Sequence, residues 1–176
     1  MRAFIAFPIK NSFNYLKQKY SFEQHLNWIK KHHITLHFIK QIDESVFLEM
    51  SEKIKGILQG YSTPFINSEP LLELIPQKSP KMLWIRFTNE DKRIYKLHTE
   101  IKNAFKDFSK CTFRPHITLT RIKRKPSQKF CKSVLSERIK QKTFLLNELI
   151  FYKSILKKEG AVHIPLDSFR IKNKGT

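Results

Sequence analysis

The octapeptide HITLHFIK at His33–Lys40 returns as HITLTRIK at His116–Lys123, with six of eight residues identical and the two copies starting 83 residues apart. Both copies open with His-x-Thr on a β-branched, strand-forming segment. Side chains at i and i+2 of a strand point to the same face, so each copy offers an imidazole and a hydroxyl side by side. Two such units facing each other make a symmetric site with two proton-transfer groups and two hydrogen-bond donors. That set of groups suits a phosphodiester.

Histidine changes its proton near neutral pH. Opening a 2′,3′-cyclic phosphate needs a base to take a proton from attacking water and an acid to protonate the departing ribose oxygen. Two histidines on opposite sides of the phosphorus divide these tasks, one neutral and one charged. The hydroxyls of Thr35 and Thr118 can donate to the non-bridging oxygens, where charge builds up in the transition state. Neither octapeptide contains Asp or Glu, and metal-dependent phosphoesterases generally cluster carboxylates with their histidines. His33 and His37 have HxxxH spacing and share a face under plain strand alternation, but the glutamate of a zinc HExxH helix is missing. No metal and no cofactor are expected. A single His-x-Thr triplet arises by chance in many proteins; two near-identical octapeptides are far more specific.

The chain has 176 residues, 40% of them apolar with fifteen Phe, enough for a compact core. Its net charge of +19, from 34 Lys and Arg against 15 Asp and Glu, favours a polyanionic partner, nucleic acid before an anionic membrane. Codon bias toward lysine is the competing explanation. Nine Lys or Arg and one acid lie between Arg121 and Lys142, a run that starts inside the second motif. Cys111 and Cys131 match no zinc or CxxC spacing. No segment has the length of a signal peptide core or a membrane span. The protein is expected to be soluble and cytoplasmic, and to act as a monomer without an obligate protein partner or a membrane.

Around the two motifs the pattern predicts a strand at Arg2–Pro8, closed by Pro8. A helix follows at Asn11–Tyr20, capped by Asn11 or Ser12, and then a short strand at Leu26–Ile29. Val46, Phe47, Met50, Ile54, Ile57 and Leu58 fall on one face of a helix over Asp43–Gln59, stopped by Gly60. Short strands at Pro64–Ser68 and Leu71–Ile75 are separated by a turn at Pro70, and Met82–Phe87 is a further strand. Helices are predicted at Lys92–Phe108 and Ser127–Lys140, and closing strands at Thr143–Leu156, broken near Asn147, and Ala161–Phe169. The order implies an α/β or α+β fold with a mixed, largely antiparallel sheet, and no linker divides the chain.

The chain resembles the LigT-like RNA 2′,3′-cyclic phosphodiesterase family (RNA 2′-5′ ligases) of the two-histidine phosphoesterase superfamily. The segments RAFIAFPI, NWIKKHHITLHFI, MLWIRF, FRPHITLTRIK and Ser154-x-Leu156-x-x-x-Gly160 carry the likeness. It implies an α+β fold over residues 1–176, one bilobal domain with two pseudo-symmetric, largely antiparallel lobes and outer helices around a central cleft. Each lobe contributes one His-x-Thr strand, at 33–40 and 116–123. The implied activity is metal-independent hydrolysis of RNA-terminal 2′,3′-cyclic phosphates to 2′-phosphates, with weak reverse 2′-5′ ligation. The implied substrates are RNA ends or small cyclic nucleotides. Carried over, His116 is the base and His33 the acid, Thr35 and Thr118 bind the phosphate, and Phe38 and Arg121 clamp the terminal base.

Phe38 and Arg121 each lie five residues after a motif histidine, and strand alternation alone turns i+5 away from i. Their role therefore requires a twist, a bulge or a strand end; otherwise Phe38 is a core aromatic. The chain also departs from the family pattern. Ile39-Lys40 stands where Leu-Gly is usual, and His163 stands in place of a closing-strand Tyr. Lys40 is a candidate to reach a phosphate, and His163 is either a third polar group near the cleft or, as the favoured reading, a plain packing substitute. His32 should point away from His33, and His98 is expected to be structural or exposed. The competing readings are a 2′-5′ oligonucleotide phosphodiesterase, which uses the same histidines, and a non-catalytic RNA-binding module.

Overall fold

The structure is a computed structural model and describes residues 1–10, 13–39, 41–88, 91–106, 112–157 and 160–172. The proposed caps Asn11 and Ser12, and also Lys40, Phe108 and Cys111, lie outside the described residues. Nine strands and four helices follow one another among the described residues. They are β1 (Ala3–Ile9), α1 (Tyr15–Lys19), β2 (Leu26–Trp28), β3 (His32–Ile39), α2 (Glu44–Leu58), β4 (Phe65–Ile75), β5 (Met82–Phe87), α3 (Arg93–Ala104), β6 (His116–Ile122), α4 (Gln128–Ser136), β7 (Thr143–Leu145), β8 (Glu148–Lys157) and β9 (Gly160–Arg170). The fold is α+β, and every strand pair is antiparallel.

The strands form two sheets, one ordered β3-β1-β8-β9 and the other β2-β6-β5-β4-β7. Each sheet receives one of the repeated octapeptides, in β3 and β6, and these two strands lie against each other. Alternation gives each sheet an apolar face. Ile5, Phe7, Ile34, Leu36, Leu149 and Phe151 serve the first sheet, and Leu83, Ile85, Ile117 and Leu119 serve the second; all are essentially inaccessible. The helices cover these faces through apolar stripes: Met50, Ile54 and Leu58 from α2, Ile94, Leu97 and Ile101 from α3, Phe130 and Val134 from α4. The Ser127 hydroxyl accepts the Phe130 amide at 3.1 Å and donates to Glu23 at 2.7 Å, so α4 starts at a side-chain cap. Val46 stays exposed on α2, and Ser51 is buried in its place.

Several boundaries differ from the sequence expectation. Pro8 does not close β1, which continues to Ile9 with Pro8 opposite His33. The pairing of β1 with β8 ends at Ala6, so a residue without an N–H breaks no ladder there. Pro70 does not separate two strands either. β4 runs through it because its register against β5 jumps from Ser68 to Leu72, and the Pro70 carbonyl accepts instead from the Ile139 amide at 2.9 Å. Gly60 follows α2 with no positive φ, so no left-handed cap ends that helix. Gly160 does need its missing side chain: it opens β9 at φ 138°, at the tip of the β8–β9 hairpin.

His32 turns away from the cleft side of β3, as alternation requires, and is 5% exposed with neither ring nitrogen hydrogen-bonded among the described residues. Burial also holds its pKa below the ordinary histidine range. A desolvated polar ring without partners costs about 1–3 kcal/mol. His32→Leu should therefore raise unfolding stability by roughly 1 kcal/mol in urea titration at pH 7. An unchanged or lower midpoint would show that the ring is satisfied.

Candidate active site

The registers of the two repeated strands contain the same irregularity. Along β1 and β3, Ala6 opposes Thr35 while Ile5 opposes His37, so Leu36 is an extra residue in β3. Along β5 and β6, Leu83 opposes Thr120 while Trp84 opposes Thr118, so Leu119 is the extra residue in β6. Each bulge sits at the Leu of His-Ile-Thr-Leu. A bulge adds one residue and shifts the alternation after it by one. The face of His33 and Thr35 therefore continues at Phe38, and that of His116 and Thr118 continues at Arg121. Burial matches position by position in the two copies: His and Thr half-buried, the following Ile and Leu inside, Phe38 and Arg121 exposed.

The same shift sends His37 to the opposite side. It is 6% exposed and packs 5.6 Å from the Phe105 ring and 6.1 Å from that of His98. His33 and His37 therefore do not share a face, contrary to plain alternation. Phe38 is not a core aromatic: it is 43% exposed, stacks at 12° over Phe4, and carries the Arg2 guanidinium 5.1 Å from its centroid.

Aromatic rings fix both motif histidines. His33 lies 5.1 Å from Phe4, which in turn stacks on Tyr152 at 4.9 Å. His116 stacks on Trp84 at 3.6 Å and 16°. The Nδ1–H of His116 donates to the Arg114 carbonyl at 2.8 Å, which leaves Nε2 as its basic nitrogen. Arg86, opposite His116 in the register, pairs with Glu73 at 3.3 Å and Glu69 at 3.7 Å. Phe4, Tyr152, Trp84, Arg86 and Glu73 had no assigned role in the sequence. Met82, Trp84 and Arg86 alternate with buried Leu83 and Ile85, and that alternation is the signal that places them on one face of β5.

His163 packs into this cluster beside His33. Its ring stands edge-on to His33 at 5.4 Å and 87°, and edge-on to Phe4 at 4.8 Å. The charge of Arg121, on the other sheet, acts on it directly. The hairpin that carries it reaches the second sheet, with Gly160 beside the Asn27 side chain. The pairing of β8 with β9 sets Ser154 opposite His163 and turns it toward His33. A cavity of about 1220 Å³ adjoins Thr35, Trp84 and His116 and extends between α2 and α3 past His98, Lys102 and Phe113.

Burial is the main cause of the histidine pKa values. It pushes His33 down to about 4, helped by the neighbouring charges of His163, His32 and His116 and opposed by the backbone of Lys31. His116 is lowered by burial, opposed by the Arg114 carbonyl and by Glu73. His163 is lowered by partial burial and then by Arg121. All three rings are therefore mainly neutral at pH 7. The unfolded chain titrates these rings near 6.5, so between about 6.5 and 4 it binds protons that the folded chain does not. Stability should therefore fall as pH drops through that window. In thermal unfolding at pH 7, 5.5 and 4.5, His33→Phe should lose less between the highest and lowest pH than the parent. Parallel losses would show that His33 titrates normally.

No family model matches the chain. Over 106 residues it is 28% identical to the RNA 2′,3′-cyclic phosphodiesterase of Thermotoga maritima, a match covering 57% of this chain and 56% of that protein. The chain thus spans little more than half of that relative's length. Among solved structures it is similar to TT0787 of Thermus thermophilus, at TM-score 0.74 and 17% identity over 99% of this chain and 100% of that one. It is similar also to E. coli LigT complexed with 3′-AMP, at TM-score 0.72 and 16% identity over 97% of each chain. The two structural likenesses extend over nearly the whole chain, and together with two bulged His-x-Thr strands at the meeting of two antiparallel sheets they show that it has the LigT-like fold.

Proposed function

We propose that the protein is an RNA 2′,3′-cyclic phosphodiesterase that converts RNA-terminal cyclic phosphates to 2′-phosphates without a metal, both sheets acting as one bilobal unit. The observation that carries this reading is the matched pair of bulges, which gives His33, Thr35 and Phe38 one face and His116, Thr118 and Arg121 another. The sequence match to the Thermotoga enzyme supports the same reaction, and the +19 charge suits an RNA substrate.

In the proposed reaction, Nε2 of His116 takes a proton from water as the water oxygen bonds to phosphorus. The bond from phosphorus to the 3′ oxygen breaks, and His33 protonates that oxygen. A 2′-phosphate and a 3′-hydroxyl result. Thr35 and Thr118 donate to the non-bridging oxygens, where donors aimed at developing charge contribute most. Phe38 and Arg121 hold the terminal base, one by stacking and one as a cation over its other face. Burial favours neutral His33 at pH 7, so its acid role depends on the substrate: the phosphodiester charge raises the pKa of both rings once bound.

The first test is incubation of an RNA ending in a 2′,3′-cyclic phosphate with the protein in EDTA. The parent should give 2′-phosphate, while His33→Ala and His116→Ala each lose about 10²–10⁴-fold in kcat. Turnover that disappears in EDTA and returns with added metal would sink the metal-free scheme. No turnover beside retained RNA binding would favour a binding module, and cleavage of 2′-5′ linked oligonucleotides alone would favour the sister activity.

Leaving-group dependence separates acid from base. A phosphodiester with a p-nitrophenolate leaving group needs no acid, so it should rescue His33→Ala and leave His116→Ala slow. The reverse pattern would exchange the two roles. The pH dependence of kcat/KM should be bell-shaped, with an acidic limb near 4, from free His33, and an alkaline limb below about 6.5, from free His116. The kcat profile should lie at higher pH, because bound phosphate raises both values. Coincident kcat and kcat/KM profiles would contradict that coupling.

A further inference from the structure

The two bulges are alike in register but not in support. A bulge residue loses its ladder partner, and a backbone carbonyl left unpaired inside a protein is costly. β6 lies between β2 and β5, so the Leu119 carbonyl accepts the backbone amide of Ile29 at 2.9 Å. Among the described residues, β3 is the edge of its sheet and has no strand on that side. The Leu36 carbonyl accepts instead from a side chain: Nδ1 of His98, on α3, at 2.7 Å. A carbonyl only accepts, so this contact fixes the proton on Nδ1. The His98 ring lies flat on Phe113 at 4.8 Å and 13°. Phe113 immediately precedes Arg114, whose carbonyl holds His116, and Pro115, which leads into β6. One half-buried imidazole thus touches the bulge of the first motif and the approach to the second.

We propose that His98 is a positioning residue that replaces the missing neighbour strand of β3. It holds the Leu36 bulge, and with it the face of Phe38, in register with the His116 half of the site. His98 touches no reacting atom in this scheme and acts through Leu36 and Phe113. The proposal rests on the phosphodiesterase reading for its kinetic test and has a structural test that does not.

Two substitutions separate the donor from the ring. His98→Phe keeps an aromatic ring for Phe113 and removes the N–H. His98→Asn removes the ring and places an amide N–H at the same distance along the side chain as Nδ1. The bulge controls the face of residues after Leu36, so losing it misaims Phe38 rather than His33. His98→Phe should raise KM for a cyclic-phosphate RNA about tenfold and change kcat by less than about threefold, and His98→Asn should recover most of the loss. In a Phe38→Ala background the effect of His98→Phe should disappear, because both act on the same base contact. Equal losses in the Asn and Phe variants, an undiminished loss in the Phe38→Ala background, or no loss at all would overturn the proposal.

The nuclear Overhauser contacts between the Phe4 and Phe38 rings report the bulge without turnover. They should persist in His98→Asn and vanish in His98→Phe. If the parent turns over no cyclic phosphate, the proposed reaction fails, and these contacts alone decide: their survival in His98→Phe overturns the positioning role.

Discussion

A regular strand cannot present residues i, i+2 and i+5 on one side, and the site depends on breaking that rule twice. The extra residues Leu36 and Leu119 are buried on the apolar faces of their sheets, so the core holds each bulge in place from behind. In front, the bulge converts a short strand with an imidazole and a hydroxyl into a three-residue half-site ending in an aromatic or a guanidinium. The side chains of the half-sites differ after the bulge, but their burial does not. The fold therefore keeps two near-symmetric half-sites whose outer, exposed positions, Phe38 and Arg121, differ in chemistry.

Packing around the histidines sets their charge. His33 lies among Phe4, Tyr152 and His163, a wall with little capacity to solvate a cation, and its pKa falls accordingly to about 4. His116 is stacked on Trp84, but Glu73 stands nearby and opposes the shift. The two rings thus start from unequal electrostatic settings within a near-symmetric frame, His33 being the harder to protonate until a neighbouring negative charge raises its pKa. Part of the large positive charge elsewhere is used within the fold. Lys19 pairs with Glu137, Lys129 lies 4.9 Å from the Phe22 centroid, and Lys142 lies 5.3 Å from that of Phe13. Arg121, within the half-site itself, stays exposed.

The lobes differ most where sheet order differs. β6 is interior and β3 is an edge, so equal motifs meet unequal neighbours. A backbone amide suffices for the Leu119 carbonyl, whereas the Leu36 carbonyl draws on a helix histidine from elsewhere in the chain. His37 turns inward toward the same helix, beside His98 and Phe105. The β8–β9 hairpin closes the cleft from the opposite side, with a glycine at its tip and His163 three residues on, facing His33.

The residues at the heart of the site were legible in the sequence because their relation is local. His and Thr at i and i+2 share a face in any strand, and a near-identical second copy removes most of the ambiguity of a short motif. The amphipathic stripes of α2 and α3 were legible for the same reason, since 3.6-residue periodicity is carried within one element. The facing of Phe38, Arg121 and His37 was not legible, because a bulge is a relation between two strands and appears only once their register is fixed. Pro70 misled because a proline normally ends a strand, and only the irregular pairing of β4 with β5 lets one pass through it. The positions of His163 beside His33, Trp84 against His116 and His98 under Leu36 were decided by contacts between residues 32 to 130 apart in the chain. Sequence alone determined which groups are available for the chemistry, and tertiary structure decided which of them face one another, because local periodicity fixes a direction along one element whereas proximity depends on how separate elements pack.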